Sequence, residues 1–364
     1  AGHDRFHWDM AKKVLPADLF EFVSKFGREP GNEHFINLTH VCLHASFVNG
    51  VAKKHGAVSQ AMFPDRPGID YITNGVHHLT WVSSSIASWM DKYVSDWRQH
   101  PEQLLDLQTR RLDVDMRQEL WDAHQGAKRF LFDQIRSKRP DCGFEEDVFT
   151  VGFARRAATY KRSDLILSHA DELLKVAREK GAIQLVFAGK SHPRDDGGKA
   201  ILQRIIQKSK EWKGANVSVR VAFIEDYDMN WGLWLTSGCD VWLNNPIPPL
   251  EASGTSGMKA AMNGVPQLST PDGWWMEGAC ADRCGWTFGQ VPVTDALPTE
   301  TRYDDDFANL FYYLPDIIQM YYQATRDPNL TAGSAWADKM LDSISLNGAF
   351  FNTHRMVTEY TKQA

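Results

Sequence analysis

From about residue 148 the chain alternates short apolar runs with amphipathic segments. The runs "VFTVGF" (148–153), "IQLVFAG" (183–189), "VSVRVAFI" (217–224), "CDVWLN" (239–244) and "VPQLST" (265–270) read as buried strands, the last closing the series. Between the first two, "YKRSDLILSHADELLKVAREKG" places Ile166, Ala170, Leu173, Leu174 and Ala177 at helical spacing and stops at Gly181. "GKAILQRIIQKSKEW" (198–212) does the same with Ile201, Leu202, Ile205 and Ile206. Strands alternating with helices at this spacing predict an α/β fold with a doubly wound, Rossmann-like parallel sheet. Ligands of such sheets sit beyond the carboxyl ends of the strands. Four segments, "ARRAATYKR", "GKSHPRD", "EDY" and "EASGTSGMK", each follow a strand directly and so share one rim.

The first 145 or so residues follow another pattern. "INLTHVCLHASFVNGVAKKHGAVSQAMF" (36–63) is mostly helical, "IDYITNGVHHLTW" (69–81) carries a turn at Asn74-Gly75, and "DMRQELWDAHQGAKRFLFDQIRSKR" (115–139) is a long helix. There are too few strands here to close a sheet. We divide the chain into the mostly helical tail of an upstream domain (1–74), the Rossmann-like domain (75–335) and a terminal helix (336–364) that packs back across the junction.

Composition removes several classes. A net charge of −6 leaves no broad surface for nucleic acid or an anionic membrane, so any anion site is a local cluster. No apolar run approaches the length of a membrane helix. The five cysteines have no CxxC pair, although Cys280 and Cys284 are spaced to share a helical face; reduced thiols in a cytoplasm are the simpler reading. No metal site is expected, and His77-His78 read as structural. Most of the thirteen tryptophans, Trp274-Trp275 included, read as core.

Two clusters remain. Gly189-Lys190-Ser191 imitates a phosphate loop, but residue 184 is Gln where that loop needs glycine. By contrast, Arg155, Arg156, Lys161 and Arg162 fall within eight positions at a strand-to-helix turn. A lysine in a first helical turn opposes the helix dipole unless an anion is bound, and arginine forks suit phosphate. In "EASGTSGMK", small residues at a helix start offer free N–H groups from Thr255, Ser256 and Gly257 to a second anion. Lys259 then emerges from an apolar helix face: either one more counter-charge, or an amine of depressed pKa fit for a Schiff base.

Together these segments resemble the α-glucan phosphorylases (glycogen, starch and maltodextrin phosphorylases), most of all the shorter bacterial and archaeal type. The family's pyridoxal-phosphate motif, E-A-S-G-T-x-x-M-K, is met at every fixed position by Glu251–Lys259, with Ser256-Gly257 for the animal Gly-Asn. Its K-R-I-H-E-Y-K-R block is met by Arg155–Arg162, with Ala157-Ala158-Thr159 for Ile-His-Glu, and its T-N-G turn by Thr73-Asn74-Gly75. The resemblance covers nearly the whole chain. It implies the two-domain GT-B architecture and reversible phosphorolysis of α-1,4-glucans by inorganic phosphate to α-glucose 1-phosphate.

Residue by residue, the resemblance implies that Lys259 holds pyridoxal 5'-phosphate, with Thr255, Ser256, Gly257 and Arg155 around its phosphate and Tyr227 beside it. Arg156 and Lys161 would be the catalytic residues on the substrate phosphate. Glu251, Ala252, Ser253, Gly254 and, from the other domain, Asn74 would bind the sugar. Two phosphates of charge near −1.5 held about 5 Å apart repel by roughly 7 kcal/mol at an effective dielectric of about 20, which explains why the cations are clustered. The resemblance also implies a cytoplasmic enzyme, a homodimer in common with other members, and a missing upstream half-site, so that the chain reads as a C-terminal portion. The rival is a nucleotide-sugar-dependent glycosyltransferase of glycogen-synthase type; many of those carry a second glutamate where this chain has Lys259. A glucan-binding fragment without activity is the third reading.

Overall fold

The computed structural model describes residues 4–29, 31–212, 218–291, 303–326 and 334–363. Its centre is a six-stranded, wholly parallel sheet: β1 (Phe149–Ala154), β2 (Ile183–Ala188), β3 (Val219–Ile224), β4 (Val241–Asn244), β5 (Gln267–Ser269) and β6 (Gly285–Thr287). The spatial order is β6-β5-β4-β1-β2-β3. Chain order therefore reverses between β1 and β4, and this reversal creates the crevice in which such folds bind ligands. The predicted doubly wound α/β sheet is present. It does not close at "VPQLST", because Gly285–Thr287 adds β6 beyond it; three residues of "GWT" are too short for alternation to reveal.

Every residue of β1 and β2 is buried, as helices on both faces require. Val151 and Phe153 enter one core with Leu185, Phe187, Leu173 and Val176. Ala154 and Ala188 enter the other, against Leu131, Phe132, Trp231 and Leu235. Its helices include α1 (Val114–Lys138) and α4 (Met229–Gly238), while α2 (Ala170–Lys180), α3 (Asp196–Glu211) and α6 (Tyr303–Arg326) lie on the first face; α5 (Thr255–Met262) follows β4. Gly152 has no room for a Cβ, which would strike Cys239 and the Trp242 ring. That allows the indole of β4 to lie across β1.

At the amino ends of the strands lies a fully buried ion cluster. Lys128 Nζ donates to Asp240 Oδ2 at 2.6 Å, to Val148 O and to the Tyr321 hydroxyl; His124 Nε2 pairs with Asp240 Oδ1 at 3.0 Å, and Thr150 N donates to Asp240 Oδ2. The cluster ties α1 and α6 to the sheet, far along the strands from the rim.

Two sequence expectations are corrected. The helix expected from Tyr160 begins at Ala170; ahead of it are 3-10 turns at Thr159–Lys161 and Leu165–Leu167. Arg162 interrupts it in the left-handed region (φ 48°), since its fully buried guanidinium reaches Asn245 O, Pro246 O and Asp306. Nor is Asn74-Gly75 a turn. Thr73–Gly75 leads into a bridge between Val76 and Asn352, and a Cβ on Gly75 would collide with the Asn352 carbonyl.

Ahead of the sheet, Arg5–His7 pairs antiparallel with Phe35–Asn37, and Asn49–Gly50 pairs parallel with Asp70–Tyr71. After it come α7 (Ala335–Asp342) and α8 (Thr353–Gln363). On α8, Tyr360 accepts from Asn49 Nδ2 at 3.0 Å and Arg355 donates to Asn74 O at 3.0 Å.

Candidate active site

The site is built at the reversal between β1 and β4. Arg155 is the first residue past β1, Asn244 the last of β4, and Arg155 Nη1 donates to Asn244 Oδ1 across the crevice. One step on, Asn245 Nδ2 donates to Arg162 O at 2.7 Å. The loops after the two central strands are thus stitched together by side-chain amides. "EASGTSGMK" does not follow β4 directly as expected: six residues, Asn245–Leu250, intervene and carry Glu251 back over the crevice.

Glu251 meets the cations there. Its Oε2 accepts from Lys161 Nζ at 2.8 Å and also from Arg155 Nη2, and all three side chains are buried. Burial opposes ionisation of Glu251, yet Arg155 and Lys161 hold its pKa below the usual range. Burial first, and Arg155 second, pull Lys161 down to about 8 against the attraction of Glu251. Lys161 sits in a 3-10 turn, so no helix dipole opposes it, and it is buried beside Arg155. Arg156 is exposed at the mouth, close enough to Lys161 to lower its pKa further.

The loops after β4 and β5 are joined by Asp272. Its Oδ2 accepts from Glu251 N and its Oδ1 from Gly273 N, both at 2.8 Å, while Trp274 N donates to Ser253 O. Burial pushes Asp272 up to about 7. Gly254 opens α5 in the left-handed region (φ 88°), and a Cβ on Gly257 would lie 2.8 Å from Gln267 Oε1 and the Trp274 ring. The buried hydroxyl of Ser253 has no hydrogen-bond partner among the described residues. Ala252 and Thr255 are half-buried beside it, and Ser256 Oγ accepts from Trp242 Nε1 at 3.2 Å.

One turn along α5, Lys259 projects over Trp81, its Nζ 3.3 Å from the indole centroid. Burial pulls its pKa down to about 8, and it forms no ion pair among the described residues. Asn263 keeps the indole there, donating to Trp81 O at 2.7 Å and to Lys259 O at 2.9 Å. A Cβ on Gly232 would touch both Trp81 and the Tyr227 hydroxyl. Burial raises the Tyr227 pKa, and the charge of Arg155 opposes that. Lys259 thus packs on Trp81, which neighbours Tyr227 across Gly232, while Arg155 and Glu251 meet at the rim.

The sequence pattern of the carbohydrate phosphorylases matches residues 5–290. The chain belongs to the carbohydrate phosphorylase family. Among its relatives, maltodextrin phosphorylase of Thermococcus litoralis is 36% identical over 390 residues, covering 99% of this chain and 44% of its own length. Glycogen phosphorylase of Aquifex aeolicus is 36% identical over 344 residues, 87% of this chain and 47% of its own. Glycogen phosphorylase of Mycobacterium tuberculosis is 33% identical over 409 residues, 100% of this chain and 45% of its own. The chain spans about half the length of these curated relatives.

Within this chain Arg155, Lys161 and Glu251 are in direct contact, Ser253 and Gly254 follow Glu251 in the same loop, and Lys259 lies one turn along α5. Asn74 is half-buried, its N–H donating to Val51 O and its carbonyl accepting from Arg355. The adjoining Thr73 hydroxyl donates to Glu277, three residues past the Trp274 that bonds Ser253. Sequence reasoning missed Asn244, Asp272 and Trp81. Asn244 ends β4 and Asp272 lies three residues past β5, both at the rim that a strand assignment identifies. Trp81 carries no such signal, because an isolated indole reads as core.

Proposed function

We propose that the protein is an α-1,4-glucan phosphorylase that cleaves the terminal glucosyl unit with inorganic phosphate, reversibly and with retention, to α-D-glucose 1-phosphate. The single observation carrying this reading is that Lys259, an amine of lowered pKa with no ion pair among the described residues, starts from the same loop whose Glu251 meets two buried cations, Arg155 and Lys161. Family membership and the names of the relatives support the same reading.

The residues fit pyridoxal 5'-phosphate as cofactor. Among the described residues Lys259 has no competing carboxylate and Ser253 Oγ no partner, and the start of α5 offers the N–H groups of Thr255 and Ser256, that of Gly257 being bonded to Gly254 O. In this proposal Lys259 carries the group, with Thr255, Ser256, Gly257 and Arg155 facing its phosphate and Tyr227 beside it. When bound, it supplies a phosphate with a second pKa of about 6, able to give and take a proton at neutral pH.

Arg156 and Lys161 place the substrate phosphate. Bringing an anion to Lys161 Nζ raises its pKa again and keeps the proton on that nitrogen. Glu251, released from the cations by the incoming anion, turns an acceptor toward the sugar hydroxyls, with Ala252, Ser253, Gly254 and Asn74 around the ring. The cationic pair then stabilises phosphate as the glycosidic bond breaks and positive charge develops on the sugar.

The upstream division at residue 74, the junction-crossing role of α8, a cytoplasmic location and a homodimer belong to the same proposal. Among the described residues no helix is long and apolar enough to cross a membrane. The nucleotide-sugar reading is disfavoured by Lys259 standing where its second glutamate belongs. Incubating the protein with maltodextrin and orthophosphate, and following glucose 1-phosphate by a coupled assay, tests the proposal. Release that needs orthophosphate and is lost in Lys259→Ala supports it; release driven by a nucleoside diphosphate sinks it.

A further inference from the structure

The residues proposed to hold the sugar lie on separate stretches, Glu251–Gly254 after β4 and Asn74 ahead of the sheet. One short segment, 272–277, is bonded to both. On one side, Asp272 Oδ2 accepts from Glu251 N and Trp274 N donates to Ser253 O, each at 2.8 Å. Between them Gly273 lies in the left-handed region (φ 54°), and a Cβ there would strike the Ser253 carbonyl. The segment is therefore pressed directly against the Glu251–Gly254 loop.

On the other side, the half-buried Glu277 reaches the upstream stretch. The buried Thr73 hydroxyl shares its proton between Glu277 Oε2 at 2.9 Å and Oε1 at 3.0 Å. Lys53 N donates to Glu277 Oε1 at 3.0 Å and opens the helix Lys53–Met62. That helix has Ala52 at its N-cap, with no side-chain acceptor, so a carboxylate 224 positions away caps it instead. Asn74 follows Thr73 directly. Its backbone is also held by Val51 O and by Arg355, but neither belongs to the segment that holds Glu251 and Ser253. Glu277 does.

We propose that Glu277 is the positioning residue that sets Asn74 against the Glu251–Gly254 loop and so sets the grip of the site on the glucosyl unit. This rests on the sugar-binding roles proposed for Asn74 and that loop. Glu277 touches no reacting atom; it acts through Thr73 and Asn74. With the carboxylate in place, the Asn74 amide and the loop meet the sugar already spaced, and little binding energy goes into ordering them. Without it, Lys53 N loses its cap and Thr73 its acceptor. Asn74 then keeps its ties to Val51 and Arg355 but loses the one that fixes its distance from Ser253.

The experiment measures binding of glucose 1-phosphate and of sulfate by calorimetry, on full-length protein loaded with pyridoxal phosphate. Glu277→Ala is expected to weaken glucose 1-phosphate about tenfold, the worth of one hydrogen bond to a charged group, and to leave sulfate unchanged. Thr73→Val, which spares the cap on Lys53, gives the same loss. Glu277→Gln and Thr73→Ser, which keep an acceptor and a hydroxyl, bind within about twofold of the parent. In the Asn74→Ala background Glu277→Ala adds no further loss, because the residue it positions is already gone. A parallel fall in sulfate affinity, or a tenfold loss that persists in Asn74→Ala, overturns the inference. So does a Glu277→Ala protein that binds glucose 1-phosphate as well as the parent, with the proposed function left standing. A parent that binds sulfate but no glucose 1-phosphate overturns the proposed function and this inference together.

Discussion

Lys161 Nζ donates to Glu251 Oε2 at 2.8 Å, and the same oxygen accepts from Arg155. In the proposed mechanism the protein's own carboxylate occupies the position the incoming anion takes. Replacing it by Glu251→Gln frees both cations. Orthophosphate then binds the ligand-free protein about tenfold tighter by calorimetry, because a charged competitor is gone. Glucose 1-phosphate formation falls in the same variant, since the sugar loses its charged acceptor. An unchanged phosphate affinity would place the anion elsewhere.

The lowered pKa of Lys161 fixes a pH dependence. Burial and Arg155 bring it to about 8, so the ammonium that attracts an anion is lost as pH rises through that value. Sulfate, which does not titrate in this range, binds well at pH 7 and several-fold more weakly at pH 9.5. Lys161→Arg keeps its charge and abolishes the decline. A decline that persists in the arginine variant assigns the titration to another group.

Lys259 makes a stability prediction of definite sign. Its folded pKa of about 8 lies below the ordinary lysine value of 10.5, so the folded chain binds fewer protons between the two. Stability of the ligand-free protein therefore rises with pH across that window, and the buried ammonium is a cost below it. Lys259→Met stabilises the ligand-free protein by about 1 kcal/mol at pH 7, after allowing for solvent screening, and the gain vanishes by pH 10.5. Urea denaturation at the two pH values reads both.

The start of α5 has no spare volume at Gly257. Its replacement by alanine puts a Cβ 2.8 Å from Gln267 Oε1 and the Trp274 ring, both part of the core below. The helix start must shift, at a cost of about 1–3 kcal/mol. Thermal unfolding reports the cost. Because the shift moves the N–H groups facing the anion, cofactor affinity drops as well.

At the other end of the strands, Asp240→Asn leaves Lys128 buried without a countercharge and costs about 3–5 kcal/mol. The pair lies away from the rim, so surviving folded protein keeps its ligand affinities. The double variant Lys128→Met with Asp240→Leu recovers most of the loss, which separates pairing from packing.

Much of the fold was legible because strands buried on both faces, such as "FTVGFA" and "IQLVFA", leave continuous apolar runs. β6 was not, since its three residues lean on β5 rather than on any pattern of their own. The helix start failed at Arg162, where buried hydrogen bonds to Asn245 O and Pro246 O override local propensity. In the site, the basic block and the small-residue loop were visible as composition. The Asn244–Arg155 and Asp272–Glu251 links were not, because each joins loops that only the strand order makes adjacent. Trp81 over Lys259 lies 178 positions away in sequence, and nothing local connects them.

The most direct test of the central claim is covalent. Full-length protein loaded with pyridoxal phosphate is reduced with borohydride, digested, and its modified lysine located by mass spectrometry. The account predicts one pyridoxyl-phosphate adduct, on Lys259, and none in Lys259→Ala. Stoichiometric labelling of any other lysine, or no label at all, contradicts it.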